Sequence, residues 1–300
     1  LSKLASAGLS LDRYGNVIIA GSVAAGNVWA LPGKTYYVDA SVSASGSGRS
    51  WATAFKTLAE AITQVNSDAG AHATIIVAPG TYAESLTPPT VMCSIVGAGW
   101  LGKTSMPLIA PTSGSCFVGA MSALRLANLR LKVSTASKNV LDLTTVADTM
   151  IEDCLFISNN PTTGAVAIDI ATSMFDSTIR NCYFTTLEGG TAKAFTKGIV
   201  IAEAMRNFIV NNIFTGLADD GTGIEITGHD DPAFVDNVVA GNIVYVSSDG
   251  TCINDGDSKS LVFDNLLCHT GGTAITSLTG ATTRNMSNDG TNMAWVAPEA

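Results

Sequence analysis

Three hundred residues carrying 16 Lys plus Arg against 25 Asp plus Glu give a formal charge of −9, which argues against a phosphate-tracking nucleic-acid surface and against docking on an anionic membrane. Mean hydropathy is +0.30, yet no apolar run reaches the roughly 18 residues of a spanning helix, and the chain reads as soluble. Charged residues are 14% and aromatics 7%, while 29 glycines stand among many Ser, Thr, Ala, Asn and β-branched residues. Such a composition suits short strands and tight turns rather than long amphipathic helices.

Residues 1–34 read as a separate arm. Leu9-Ser-Leu-Asp-Arg-Tyr-Gly-Asn-Val-Ile-Ile-Ala-Gly-Ser-Val23 has two strand-like runs around the turn signal Tyr14-Gly-Asn16, as in a small hairpin. Thr35-Tyr-Tyr-Val-Asp39 is a further short strand, followed by a Ser- and Gly-rich loop from Ala40 to Arg49. Over 53–65, Phe55, Leu58, Ala59, Ile62 and Val65 follow helical spacing, with Ser50 or Thr53 available as the cap. Thr74-Ile-Ile-Val-Ala78 and Cys93-Ser-Ile-Val96 are strands, and strand patterning continues almost to the C-terminus.

Internal repeats decide the fold. Leu126-Ala-Asn-Leu-Arg-Leu131, Ile151-Glu-Asp-Cys-Leu-Phe156, Ile179-Arg-Asn-Cys-Tyr-Phe184, Ile209-Val-Asn-Asn-Ile-Phe214, Phe234-Val-Asp-Asn-Val-Val239 and Val262-Phe-Asp-Asn-Leu-Leu267 align without gaps. A second series alternates with them: Val140-Leu-Asp-Leu143, Ala167-Ile-Asp-Ile170, Gly198-Ile-Val-Ile201, Gly223-Ile-Glu-Ile226 and Thr251-Cys-Ile-Asn254. In the first series the apolar first and sixth positions have opposite parity and cannot share one face of a straight strand. The strand must therefore bend, and the bend is placed at the fourth position, held by Leu129, Cys154, Cys182, Asn212, Asn237 and Asn265. Stacked coils would put the asparagines over one another in a hydrogen-bonded ladder. The expected fold is all-β, a right-handed single-stranded parallel β-helix over 35–280, with the 53–65 helix covering its N-terminal end, a short N-terminal arm and a C-terminal tail over 281–300.

Tyr36-Tyr-Val-Asp39, Ser50-Trp-Ala-Thr-Ala-Phe55, Ile75-Ile-Val-Ala-Pro-Gly-Thr-Tyr82 and Ile95-Val-Gly-Ala-Gly99 together resemble the opening of the pectate-lyase-like β-helix superfamily, and the Asn-containing repeats resemble its coils. That superfamily carries lyases, glycosidases, adhesins and virion proteins on one fold, so the resemblance implies architecture and leaves activity open. The segment Gly8 to Val23 resembles stretches that precede the body of phage fibre, spike and head-decoration proteins. It implies a tailed-phage virion surface protein, a homotrimer attached to the major capsid protein or a tail protein through its N-terminal arm.

Chemistry is sparse by comparison. Cys93, Cys116, Cys154, Cys182, Cys252 and Cys268 form no CxxC and have no His at metal-ligand spacing, which argues for free thiols, no zinc and assembly in a reducing cytoplasm. The third position of the second series holds Asp142, Asp169, Val200, Glu225 and Ile253. Asp142 and Asp169 would lie one coil apart, and Asp169 and Glu225 two coils apart at roughly 10 Å, separations that suit glycoside hydrolysis. The competing account is an outward position where any polar residue is accepted. Asp219, Asp220, Asp230, Asp231, Asp255 and Asp257 lie in acidic turns with the ligand chemistry of Ca²⁺ or, equally, of solvated loop tips. His229 beside Asp230 and Asp231 is superficially like a polygalacturonase motif, but the rest of that set and the arginine pattern of pectate lyases are missing. The sequence therefore favours a non-enzymatic virion protein, of the capsid-decoration or head-fibre kind or else a tail fibre or spike, with no catalytic, cofactor or metal residues. The alternative is a polysaccharide-degrading tailspike or secreted β-helix enzyme using Asp169 and Glu225 on a host surface polysaccharide, and a bacterial adhesin comes third.

Overall fold

The computed structural model describes strands 9–11 and 17–19 and, further on, residues 34–68, 72–99, 105–135, 138–159, 165–186, 194–229, 237–246, 249–256, 260–276, 282–283, 285–288 and 293–295. The chain divides into two units, 1–33 and 34–300. In the first, Leu9–Leu11 and Val17–Ile19 pair antiparallel, as the hairpin signal predicts.

The second unit is a parallel β-solenoid built from three sheets. Sheet I has ten strands, starting with Lys34–Val38 and Ala73–Val77 and ending at 282–283; sheet II has ten, from Thr81–Tyr82 to Met293–Trp295; sheet III has seven, from Phe117–Ser122 to Thr273–Thr276. The chain visits III, I and II in turn, and each strand pairs in parallel with its counterpart one coil on; among the described strands of this unit, only Met286–Asn288 and Met293–Trp295 pair antiparallel. Pairing continues past residue 280, through Val262 with Thr282 and Leu267 with Ser287.

Inward positions repeat by coil, so like side chains stack in rows. Leu126, Ile151, Ile179, Ile209, Val239 and Val262 form one such row in direct register, each nearly fully buried. Phe156, Phe184 and Phe214 form another, with ring centroids 4.7 and 4.3 Å apart and planes within 9° of parallel.

Four sequence expectations need correction. The helix, α1, runs Leu58–Ser67 and not 53–65. Phe55 is held in extended conformation by a parallel bridge to Val38, donating its N–H to Tyr37 O and accepting from Asp39 N–H, so the chain can turn helical only after it. Trp51–Thr53 is a single 3₁₀ turn, and Thr57, in a capping box with Glu60, starts α1. Its Leu58, Ala61, Ile62 and Val65 join the same core as Tyr36 and Ile75 of sheet I.

The fifth segment of the first series is Val239-Ala-Gly-Asn-Ile-Val244, because Val239 and not Phe234 stands over Ile209. In the second series Ile253 stands over Ile224, so Asn254 and not Ile253 follows Glu225. Finally, the bend is made at the third position. Asn128, Asp153, Asn181, Asn211, Gly241 and Asp264 all have positive φ, between 52° and 66°, a conformation that Asn, Asp and Gly tolerate best. At Gly241 an added Cβ would also sit 2.3 Å from Asn211 Oδ1.

The residue after each of these six bends points inward, Leu129, Cys154, Cys182, Asn212, Asn242 and Asn265, and with the buried Asn285 they form the ladder. Each asparagine Oδ1 accepts the backbone N–H of the residue one rung before it, from Cys182 N to Asn212 through Asn265 N to Asn285, at 2.9 to 3.1 Å. Its Nδ2 donates to a carbonyl of the preceding coil, such as Ile209 O for Asn242 at 2.9 Å. Asn237 belongs to a second ladder at the corner between sheets III and I. There Thr149 N–H donates to Ser177 Oγ, Ser177 N–H to Asn207 Oδ1 and Asn207 N–H to Asn237 Oδ1, at 3.0 to 3.1 Å. The preceding residues Asp148, Asp176 and Arg206 again have positive φ. One local rule, a left-handed residue followed by an inward residue that from Cys154 and Thr149 onward hydrogen-bonds, turns the chain at both corners.

Candidate functional site

The sequence singles out the outward row of sheet III, and direct register brings its members together. Val118, Asp142, Asp169, Val200, Glu225, Asn254 and Thr276 stack in that order. Strand alternation explains their exposure: flanking Ile168 and Ile170, or Ile224 and Ile226, face the core, so the residue between them faces out.

Both principal carboxylates have partners. Asn139 Nδ2 donates to Asp169 Oδ2 at 2.7 Å, while Asn139 Oδ1 accepts the N–H of Val166 at 3.0 Å, which fixes the amide. Partial burial, and next the neighbouring charge of Asp142, raise the Asp169 carboxyl above the ordinary aspartate value, against the Asn139 hydrogen bond. Glu225 forms a two-oxygen ion pair with Lys197 Nζ, at 2.7 and 2.9 Å. Asn254 Oδ1 accepts from Thr276 Oγ1 at 2.9 Å.

Sequence reading missed Asn139 and Lys197. Their signal is spacing: Asn139 lies 30 residues before Asp169 and Lys197 28 before Glu225, one coil in each case. The same spacing marks a second ionic cluster, on sheet I. Glu152, with a side chain only 4% exposed, is held between Arg125 and Arg180 of the adjacent coils. Burial works to raise the Glu152 carboxyl, but hydrogen bonds and charge from Arg180 and Arg125 outweigh it and leave it below the ordinary glutamate value.

Of the acidic turns, only Asp219, Asp220 and Asp255 lie among the described residues, and these form no metal-ligand cluster. Asp219 and Asp220 are exposed on the strand Leu217–His229. Asp255 is fully buried, and its Oδ2 accepts the N–H of Ser260 at 3.0 Å. Asp230, Asp231, Asp257 and the side chain of His229 lie outside the described residues. Among the described residues no three His, Cys, Asp or Glu side chains gather as metal ligands, and no helix is long and apolar enough to cross a membrane. All six cysteines are free thiols, and burial pushes Cys93, Cys116 and Cys252 up to about 12. Such thiols are protonated and poor nucleophiles at neutral pH.

Two hollows lie away from the acidic row. One of about 320 Å³ is lined by Gly97, Ala98, Gly99, Asn128 and Asp153, and one of about 160 Å³ by Tyr245, Val246, Cys268, His269, Thr270 and Asn288. In comparison with known proteins, no family model matches the chain. Nor does any curated protein sequence match it.

Proposed function

We propose that the chain is a non-enzymatic structural protein of a tailed-phage virion surface, a rigid right-handed β-helix of the pectate-lyase-like kind. In this reading it is assembled in the host cytoplasm, projects as a capsid-decoration or head-fibre protein, and binds the major capsid protein or a tail protein through its N-terminal arm as a homotrimer. The hand follows from the near-universal right-handed crossover between parallel strands. One observation carries the non-enzymatic part: the two principal carboxylates of the acidic row are already engaged, Glu225 paired to Lys197 and Asp169 bonded to Asn139. A catalytic carboxylate pair needs room for a sugar and a water between its members. The β-helix assignment rests on the resemblance of residues 35–280, and the virion assignment on that of residues 8–23.

The raised carboxyl of Asp169 favours a second reading, in which it is the acid of a polysaccharide hydrolase and Glu225 the base. Host surface polysaccharide incubated with the wild type should release no reducing ends. Release that both Asp169→Ala and Glu225→Ala abolish would replace the structural reading with the enzymatic one. Quantifying the chain in purified particles should give the hundreds of copies of a decoration protein rather than the few of a spike, and deleting residues 1–34 should remove it from them.

A further inference from the structure

Two of the six free thiols stand in a single column. Glu152 faces Arg180 and Leu155 faces Tyr183 in parallel register, so Cys154 and Cys182, one coil apart, face each other between those pairs. Both point inward and are buried, and Tyr183 N–H donates to Cys154 O at 2.9 Å. The strand spacing of about 4.8 Å lies within the Cα separations of about 4.4 to 6.8 Å that a disulfide spans. Cys182 Sγ also lies 3.7 Å from Ile151 O, on the coil of Cys154. By contrast, Cys93 stands between Ala73 and Leu124, and Cys268 between Tyr245 and Asn288.

We propose that Cys154 and Cys182 form a redox lock: two thiols in the reduced chain, and a disulfide that ties adjacent coils once a small peroxide has oxidised them. One sulfur takes an oxygen from hydrogen peroxide, which leaves a sulfenic acid and one water. The second sulfur then attacks the first, the S–O bond breaks as the S–S bond forms, and the hydroxide leaves with the second thiol's proton as another water. The two thiols give up two electrons and the peroxide is reduced to two waters. Burial selects the oxidant. The side chains are only 2% and 1% exposed, which shuts out a bulky disulfide such as oxidised glutathione, whereas a peroxide is near water in size and the adjoining corner residues Asp153 and Asn181 are exposed. Burial also pushes the Cys182 thiol up, and the adjacent Cys154 thiol adds to the effect, so Cys182 rests protonated and the lock stays open until a strong oxidant arrives. The pair sits just before the coils that asparagine amides tie together, where a covalent tie adds most. In the virion reading the lock closes after a chain assembled in a reducing cytoplasm meets an oxidising medium; that use rests on the reading, and the chemistry does not.

The test is peptide mapping of the folded full chain after exposure to millimolar hydrogen peroxide, followed by unfolding, alkylation and trypsin. Cleavage after Lys138, Arg180 and Lys193 puts Cys154 and Cys182 on separate peptides, 139–180 and 181–193. The expected result is these two peptides joined, separating on reduction, together with a thermal midpoint raised by about 5 °C over the untreated chain. C182S treated alike should show neither change; if it loses its far-UV β signal, C154A takes its place. Recovery of both wild-type peptides as alkylated thiols, or as unlinked sulfinic acids, overturns the proposal. So does a linked pair with an unchanged midpoint. The virion reading fails separately, by absence of the chain from particles, whatever the state of the thiols.

Discussion

The two halves of the solenoid solve the same corner in opposite ways. Where Leu129, Cys154 and Cys182 occupy the inward position, the corner is apolar or thiol inside, and outside it Arg125, Glu152 and Arg180 form an ion-paired cluster. Where Asn212, Asn242, Asn265 and Asn285 occupy it, the corner is polar inside, and the adjacent outer rows are Phe208, Val238, Leu261 and their neighbours. The inner asparagines are fully hydrogen-bonded, so burial leaves them satisfied, while the Lys197–Glu225 ion pair ties two of their coils on the outer face of sheet III. A coil whose corner holds a thiol, which makes only a long bond to the preceding coil, gains a further tie through surface charge. At this corner polar cohesion moves from outside to inside along the stack, while the second ladder, at the corner between sheets III and I, stays inside in both halves.

Substitutions can break or sharpen that contrast. The largest effect is expected at the junction of the halves, where Phe184 stacks on both Phe156 and Phe214. Phe184→Ala should lower unfolding free energy by about 4 kcal/mol, and urea titration should then resolve two transitions, since stacked repeats communicate only through neighbours. A single unchanged transition would show the halves to be one cooperative unit. Next, Asn242→Ala strips partners from Asn212, Asn265 and Ile209 and should cost about 3 kcal/mol, whereas Cys154→Ala at the same corner position should cost about 1 kcal/mol. Equal losses in parallel urea titrations would erase the distinction between the two corners.

On the ionic side, Glu152→Gln should cost about 2 kcal/mol, less than a fully buried pair because both arginines are half-exposed. Its carboxyl lies below the ordinary value of 4.5 in the folded state. The stabilisation is therefore complete above that value and is lost as pH falls through the folded one, so the wild-type advantage over the variant in thermal melts should shrink in acid. The smallest effect concerns Asp169, whose carboxyl is raised above 3.8. Its contribution has the opposite sign, fully present below that value and lost as pH rises through the raised one. Asp169→Asn should accordingly be more stable than wild type at pH 7, by about 0.5 kcal/mol, with the gap closing towards pH 3.

Much of the fold was legible because stacking writes a period into the chain. The parallel solenoid, five of the six first-series segments and the acidic row all follow from counting residues. The fifth segment was misread because Phe234-Val-Asp-Asn-Val-Val239 satisfies the same template, apolar at both ends with Asn fourth, as Val239-Ala-Gly-Asn-Ile-Val244. Only the backbone register, with Val239 over Ile209, separates them. The second ladder escaped notice because Thr149, Ser177, Asn207 and Asn237 share a role but no residue type. The helix start was misplaced because Phe55 fits a helical stripe as well as it fits the edge of a strand, and pairing with Val38 decides between them. Asn139 and Lys197 stayed hidden because they act on a residue one coil later, a neighbour that local patterning does not reveal.

Successive rungs of the asparagine ladder lie 30, 23 and 20 residues apart, yet their hydrogen bonds stay between 2.9 and 3.1 Å. The difference in chain length between rungs leaves the rung geometry unchanged. Each rung is therefore an interchangeable unit, and duplicating or deleting a whole coil there joins Asn to Asn without a mismatch. Near Leu129, Cys154 and Cys182 a splice that brought a leucine or cysteine corner against an asparagine one would set unlike side chains against each other. The distal half is the part of the rod whose length evolution, or a designer, can vary in steps of one coil.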